Sequence, residues 1–409
     1  MKAPQYSCFI AFQKIIFLWF GFALSWVFSQ QIEFEVQLVD EVTSEPIEEA
    51  VVKIPKSKQN LISNTEGIVK FMATPPLLLD ISHSSYKKKN FRILADKVSK
   101  KYVIALIANN RQLEEVIVTN RHPQEILKEV VENSKKKLDV PVTLRMYSRE
   151  FFKKNGAYTY YNDGLLNMQV FLQQKKVQTD ILLEQTRSVG IAVPTERHLV
   201  GYDLNNILSN YYTFKYLEDL LQLRARKIYQ YQLKLHPQSE DLYILHIKPD
   251  AEIRGIWYEY WIVYHKKERI IKEVKCFLPF DRAEIHQKTT DLNGRKLYKS
   301  YVKLNYQTEG SHYYLLNSVE EIGFTTKKEG KEVSMEVKNT LVTNKFSPKL
   351  FVYSDKNIFK EKSLINANSK VYTNFWEFDS GLSLTTEEQQ VIEFLKNHPE
   401  RYSNVFQPQ

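Results

Sequence analysis

Ile32-Glu33-Phe34-Glu35-Val36-Gln37-Leu38-Val39 puts Ile32, Phe34, Val36 and Leu38 on one side of the chain and Glu33, Glu35 and Gln37 on the other. Period-two alternation over eight residues is the pattern of a strand with one face in a core and the other in water. Further strand-like runs follow at Ala50–Ile54, Ile68–Met72, Leu77–Ser82, Phe91–Ala95, Tyr102–Ile107 and Leu113–Val118. Ser44-Glu45-Pro46, Asn64-Thr65-Glu66-Gly67 and Thr74-Pro75-Pro76 connect them with turn residues. Six or seven short strands with turns about every 8–12 residues predict a small β-sandwich over residues 30–119.

Several of these residues resemble a known family. Val39-Asp40, Thr43, Glu45-Pro46-Ile47, Ala50-Val51-Val52 and Ile54 are similar to the opening of carboxypeptidase-regulatory-like domains. Asn64-Thr65-Glu66-Gly67 and Leu79-Asp80-Ile81-Ser82 resemble that family's turn and following strand. Leu113-Glu114-Glu115-Val116-Ile117-Val118 resembles the segment that closes such domains in envelope proteins of the Bacteroidota type. The resemblance implies a transthyretin-like, seven-stranded sandwich. It implies no peptidase, because the family is an accessory domain and no zinc peptidase motif accompanies it.

Beyond the sandwich, Pro123–Leu138 reads as a helix, with Ile126, Leu127, Val130 and Val131 as its apolar stripe and Lys135-Lys136-Lys137 suiting its C-terminal dipole. It marks a linker over residues 120–140. From residue 141 to 409 the pattern is a larger antiparallel α+β domain, with longer strands. Asn155-Gly156 joins Leu144–Phe152 to Ala157–Tyr161 as a type I′ hairpin, and Asn293-Gly294 repeats the signal between Ile285–Thr290 and Leu297–Tyr306. Glu329-Gly330 is a looser version between Ile322–Thr326 and Val333–Val337. Trp257–Tyr264 is apolar on both faces apart from Glu259, which predicts a central strand covered on both sides. Leu204–Leu223 reads as helical cover, and Thr385 with Glu388 is a capping box opening a final helix. Tyr147-Ser148-Arg149-Glu150-Phe151 and Phe375-Trp376 resemble, more weakly, motifs of the non-barrel part of uncharacterised envelope proteins. The expected fold is therefore mainly β: a transthyretin-like sandwich, then a curved antiparallel sheet with covering helices.

Residues 1–29 hold Lys2, Lys14 and no acid, with an apolar run from Ile15 to Phe28 and small residues at Val27 and Ser29. This reads as a secretory signal peptide cleaved after Ser29. Fourteen residues span only about 21 Å as a helix, against a hydrocarbon layer of roughly 30 Å, which disfavours an anchor. Cys8 precedes that run, where a lipoprotein cysteine would have to follow it. Loss of Lys2 and Lys14 lowers the net charge from +9 to +7 and leaves Cys276 as the one thiol. A single cysteine makes no internal disulfide, so stability must come from packing. The mature chain carries no second apolar run long enough for a spanning helix. The charge excess lies beyond the sandwich, which carries 12 basic and 12 acidic residues.

No motif names a reaction. The nine histidines (His83, His122, His198, His236, His246, His265, His286, His312 and His398) show no metal-binding spacing, although His236 and His246 fall on adjacent strands as possible neighbours. Gly-x-Ser-x-Gly is absent; Ser380-Gly381 and Gly310-Ser311-His312 fit turns. Cys276 is in phase with Ile270, Val274 and Leu278, which is the setting of a core residue. Phosphate-binding glycine loops are missing. Asp250 with Glu252, and Glu320 with Glu321, are carboxylate pairs without a geometry. Asp291-Leu292-Asn293-Gly294 lacks the length and closing Glu of a calcium loop. No catalytic, cofactor-binding or metal residue is assigned, and no cofactor is expected. Interspersed charge and export disfavour nucleic acid.

The sequence leads to a non-enzymatic binding or scaffolding protein of the cell envelope, in the periplasm or at the outer membrane. Its expected partner is an envelope protein or a lipid or glycan ligand. The alternative is a periplasmic carrier holding a lipid in the groove of the curved sheet; a hydrolase assembled from distant residues comes third.

Overall fold

The computed structural model describes residues 31–409 apart from 97, 110–114, 192–202, 254, 256, 281–294, 329, 362, 368–377, 379, 399–401 and 404–409. The expected signal peptide, the Ile285–Thr290 strand, the turn at Asn293-Gly294, the calcium-loop fragment, Phe375-Trp376, His198 and His286 lie outside the described residues.

Seven strands form the first unit: β1 (Ile32–Asp40), β2 (Val51–Ile54), β3 (Gln59–Ile62), β4 (Ile68–Ala73), β5 (Leu77–His83), β6 (Tyr86–Ile93) and β7 (Lys101–Leu106). They lie in two sheets, ordered β4-β1-β7 and β3-β2-β5-β6. The alternation of β1 is realised as expected: Phe34, Val36 and Leu38 are buried, facing Val52, Ile54, Leu79 and Ile81 of the other sheet in one core. β3 is a strand the sequence reading missed. Conversely, Leu113–Val118 does not close this sandwich. Among its described residues, Val116 bridges Lys234, Ile117 N–H donates to the Leu233 carbonyl (2.8 Å) and Leu235 N–H to that of Glu115 (3.0 Å). The strand propensity was legible, but the partner is the other sheet.

Helix α1 (Pro123–Lys137) follows, with proline in its first turn and His122 Nδ1 accepting from Gln124 N–H (3.1 Å). Next come β8 (Val142–Lys154), β9 (Ala157–Gln173) and β10 (Lys176–Gly190). Asn155 and Gly156 take φ of 51° and 80°, both positive as the type I′ hairpin requires. Helix α2 (Leu204–Thr213) is shorter than expected. Phe214 enters the left-handed region (φ 53°) and the chain continues as 3₁₀ turns at Lys215–Leu217, Asp219–Leu221 and Leu223–Lys227. A meander completes the unit: β11 (Tyr229–His236), β12 (Ser239–Pro249), β13 (Glu259–His265), β14 (Ile271–Phe277), β15 (Arg295–Glu309), β16 (His312–Lys328) and β17 (Lys331–Ser347). Helix α3 (Thr386–Asn397) and the two-residue β18 (Tyr402–Ser403) end the described chain.

These strands make one large curved antiparallel sheet of ten long strands and the short β18, ordered β11-β12-β13-β14-β15-β16-β17-β8-β9-β10-β18. The meander thus pairs its last strand, β17, back onto β8. α1, α2 and the 3₁₀ turns cover the inner face, packing Leu127, Val130, Tyr211, Phe214, Leu217 and Leu220 against it. Cys276 is buried in that core with Val274, in phase as the sequence predicted. The expectation for Trp257–Tyr264 needs correction. β13 is central, but on its outer side Trp261 is only partly covered, by the His246 ring stacked at 3.9 Å and Lys234 above it.

Candidate functional site

Two adjoining clefts, of about 360 and 250 Å³, lie between the sandwich and the outer face of the large sheet. Three pieces of chain build them. The stretch from Glu48 to Thr65 forms one wall, the outer faces of β8 and β15–β17 form the floor, and Leu382–Glu388 closes the end. An apolar contact holds the walls together: Ile62 of the sandwich packs with Leu316 and Val342 of the sheet, flanked by Val51 and Leu382. Asn60 Nδ2 donates to Tyr314 Oη across the same junction (3.2 Å).

Charged groups line the cleft in pairs. Lys299 Nζ lies 2.6 Å from Glu321 and 3.7 Å from Glu336, and Lys338 Nζ lies 3.6 Å from Glu321. Burial acts to raise the Glu321 carboxyl, but hydrogen bonding to Lys299 and the charges of Lys338 and Lys299 bring it below its ordinary value. Beside the cleft, Lys303 reaches Glu49 of the sandwich and lies 3.8 Å from Glu273, and Lys53 pairs with Glu309. Tyr301 and Tyr158 add aromatic surface.

The C-terminal segment is tied to both units. Ile62 N–H donates to the Gly381 carbonyl (2.8 Å), Lys70 N–H to Ser383 Oγ (2.8 Å), Asn64 Nδ2 to the Leu384 carbonyl (3.3 Å) and Thr386 N–H to Glu66 Oε1 (2.9 Å). On the sheet side, Arg149 Nη2 donates to the Leu382 carbonyl (2.6 Å) and Nη1 to Glu388 Oε2 (3.0 Å). Gly381 sits at φ 80° against Asn344, whose Oδ1 would collide with a Cβ there, so only glycine fits. The capping box read from Thr385 and Glu388 is formed in full.

The inner face carries a second feature. One register row crosses the ten long strands: Ser188, Asn162, Glu150, Asn339, Glu320, Val302, Cys276, Tyr260, Ile247 and Tyr231. Its first five members are polar and buried. Tyr211 and Tyr216 donate their hydroxyls to Glu320 Oε1 (2.5 and 2.7 Å), and Asn339 Nδ2 donates to Glu150 Oε1 (3.2 Å). Among the described residues, both side-chain polar atoms of Asn162 and the hydroxyl of Ser188 have no partner.

The carboxylate pairs of the sequence do not become acid–base pairs. Glu320 points inward to two tyrosines and Glu321 outward to two lysines. Asp250 Oδ1 accepts from Glu252 N–H (3.0 Å), a turn contact. His236 and His246 are not neighbours. The register sets His246 opposite Gln232 and His236 opposite Ser239, and His246 Nε2 meets Glu259 Oε1 at 2.8 Å. Among the described residues no group of three or more His, Cys, Asp or Glu side chains is placed to hold a metal ion. None of their helices is long and apolar enough to cross a membrane. Sequence reasoning missed the cleft because its walls come from segments hundreds of residues apart.

No protein-family model matches the chain, and no curated protein matches it in sequence. Solved structures align with it at low similarity. A membrane-associated protein of unknown function from Bacteroides fragilis is 9% identical, over 77% of this chain and 98% of its own, with a TM-score of 0.17. A DUF1329 family protein from Desulfovibrio piger is 11% identical, over 55% and 94%, with a TM-score of 0.25. A LolA superfamily protein from Nitrosomonas europaea is 14% identical, over 57% and 97%, with a TM-score of 0.22. Likeness at this level carries no argument about function. The carboxypeptidase-regulatory-like reading of residues 30–119 rests on its motifs alone.

Proposed function

We propose that this chain is a non-enzymatic cell-envelope protein that binds a polar ligand, a glycan by preference, in the cleft between the sandwich and the large sheet. The observation that carries the reading is the composition of that cleft. Lys299, Lys338, Glu321 and Glu388 present charged hydrogen-bonding groups beside the ring of Tyr301, the combination of fixed polar groups and aromatic surface that orients a sugar. The leader-like composition of residues 1–29 supports export and an envelope location.

Isothermal titration of the protein with a panel of soluble envelope oligosaccharides tests it. Tyr301→Ala and Lys338→Met each weaken binding by about tenfold or more if the ligand occupies the cleft. Saturable binding unchanged by either substitution removes the site.

The carrier reading keeps one point in its favour: α1, α2 and the 3₁₀ turns form a separate cover over an apolar sheet face. An acyl chain would have to displace Tyr211, Phe214 and Leu220 from that face. Stoichiometric lipid recovered by mass spectrometry from the purified protein would favour the carrier over the glycan reading.

A further inference from the structure

We propose that the end of the large sheet formed by the β9–β10 hairpin and the loop after β17 is a membrane-docking edge that inserts into an anionic lipid surface. Leu350, Phe351 and Val352 are three consecutive apolar residues, exposed by 40%, 43% and 101%, and Leu172 beside the hairpin tip is exposed by 58%. Scattered exposed apolar residues are ordinary, but three in succession on a tethered loop mark a contact surface.

The loop is held in place, so this exposure is built in. The Lys349 carbonyl lies 2.8 Å from Thr143 Oγ1, Phe351 N–H donates to Gln169 Oε1 (3.3 Å) and Tyr353 Oη donates to Asp180 Oδ2 (2.6 Å). Gln169 and Asp180 are register partners on β9 and β10. These bonds fix the loop on the outer face of β9 and β10, about three residues, or roughly 10 Å, from Leu172, whose side chain alternates to the inner face with Met168 and Val170.

Charge chooses the occupant. Lys175, Lys176, Lys349 and Lys356 are exposed around this edge. The acids nearby in the chain are Asp180, Glu184, Asp355 and Glu361; Asp180 is engaged by Tyr353 and Glu184 by Arg145. Apolar side chains on a loop preceded by Lys349 and followed by Lys356, with Lys175 and Lys176 at the hairpin tip, fit an interface of acyl chains below anionic headgroups, where each lysine adds attraction and the apolar group resists dissociation. The edge shares no lining residue with the cleft described above, so it stands or falls independently of the ligand proposed there.

The test uses the chain from Gln30 onward carrying Val352→Cys, labelled with an environment-sensitive NBD probe; Cys276 is buried and stays unlabelled. The probe is expected to brighten and shift to the blue with mixed phosphatidylglycerol–phosphatidylcholine vesicles. Adding Lys175→Glu, Lys176→Glu and Lys349→Glu is expected to lower vesicle partitioning at this probe by about a hundredfold or more. The same probe placed by Val42→Cys on the sandwich is expected to stay unchanged. No response at position 352, an equal response at position 42, or a response on concentrating the protein without vesicles would each overturn the proposal, the last in favour of a second copy of the chain.

Discussion

Arg187 and Asp163 face each other across β10 and β9 as a bidentate pair, with Nε 2.8 Å from Oδ1 and Nη2 2.9 Å from Oδ2, and Asp163 fully buried. Tyr147 Oη donates to the same carboxylate (2.7 Å), and Tyr161 adds a second phenol. Both oxygens of Asp163 thus accept hydrogen bonds, four in all, the condition under which a buried ion pair is tolerated. Arg187→Met strands the carboxylate and is expected to cost about 3–5 kcal/mol in urea denaturation. Arg187→Lys should recover only part of this, because an ammonium cannot reproduce the planar fork. Equal stability of the two variants would show that charge, and not geometry, matters there.

Helix α3 offers a graded comparison. Thr385→Ala removes one cap hydrogen bond and is expected to cost about 1 kcal/mol. Glu388→Ala removes the reciprocal cap bond and also the carboxylate of Arg149, a side chain only 3% exposed. That loss should total about 3 kcal/mol or more. Matching denaturation midpoints for the two variants would mean that the Arg149–Glu388 contact contributes nothing.

Glu320 gives a pH-dependent prediction. Burial raises its carboxyl above the ordinary 4.5, and the Tyr211 and Tyr216 hydrogen bonds only partly offset that rise. The folded state therefore binds the proton more tightly than the unfolded chain. Its stabilising effect is full below pH 4.5 and is lost as pH rises toward the raised value. Glu320→Gln keeps an acceptor for both phenols and does not titrate. Its stability relative to wild type should climb as pH rises above 4.5, because only the wild type must then lose a proton the folded state holds. A difference that stays constant as pH rises would refute the assignment.

Cys276 should be chemically silent. Burial pushes its thiol up to about 12, and the thiolate is the reactive form. Alkylation of this residue, followed by peptide mass spectrometry, is expected only after denaturation. Rapid native labelling would place it outside the core.

Local patterns were legible where local physics decides the outcome. The alternation of Ile32–Val39, the turn at Asn155-Gly156 and the Thr385–Glu388 box each took the expected form. β3 was invisible because Gln59-Asn60-Leu61-Ile62 does not alternate. All four residues are buried, and Asn60 and Ile62 meet Tyr314 and Leu316 of the other unit. Glu115–Ile117 shows the reverse: strand character was readable, but the partner strand was not. His236 and His246 show that adjacent strands do not make neighbours until the register is known. The polar row on the inner face was hidden for the same reason, since it depends on β17 pairing with β8.

The clasp at Gly381–Thr386 also sets an order of assembly. A chain made and moved from its N-terminus can complete the sandwich early, because its strands are local. The large sheet must wait. Glu150 of β8 meets Asn339 of β17 across 189 residues, and Asn64 meets Leu384 across 320. Until those late residues emerge, β8 has an unpaired edge, the kind of surface that invites pairing with a foreign strand. A protein with this topology places a long demand on holding chaperones, and its slowest folding step should be sheet closure.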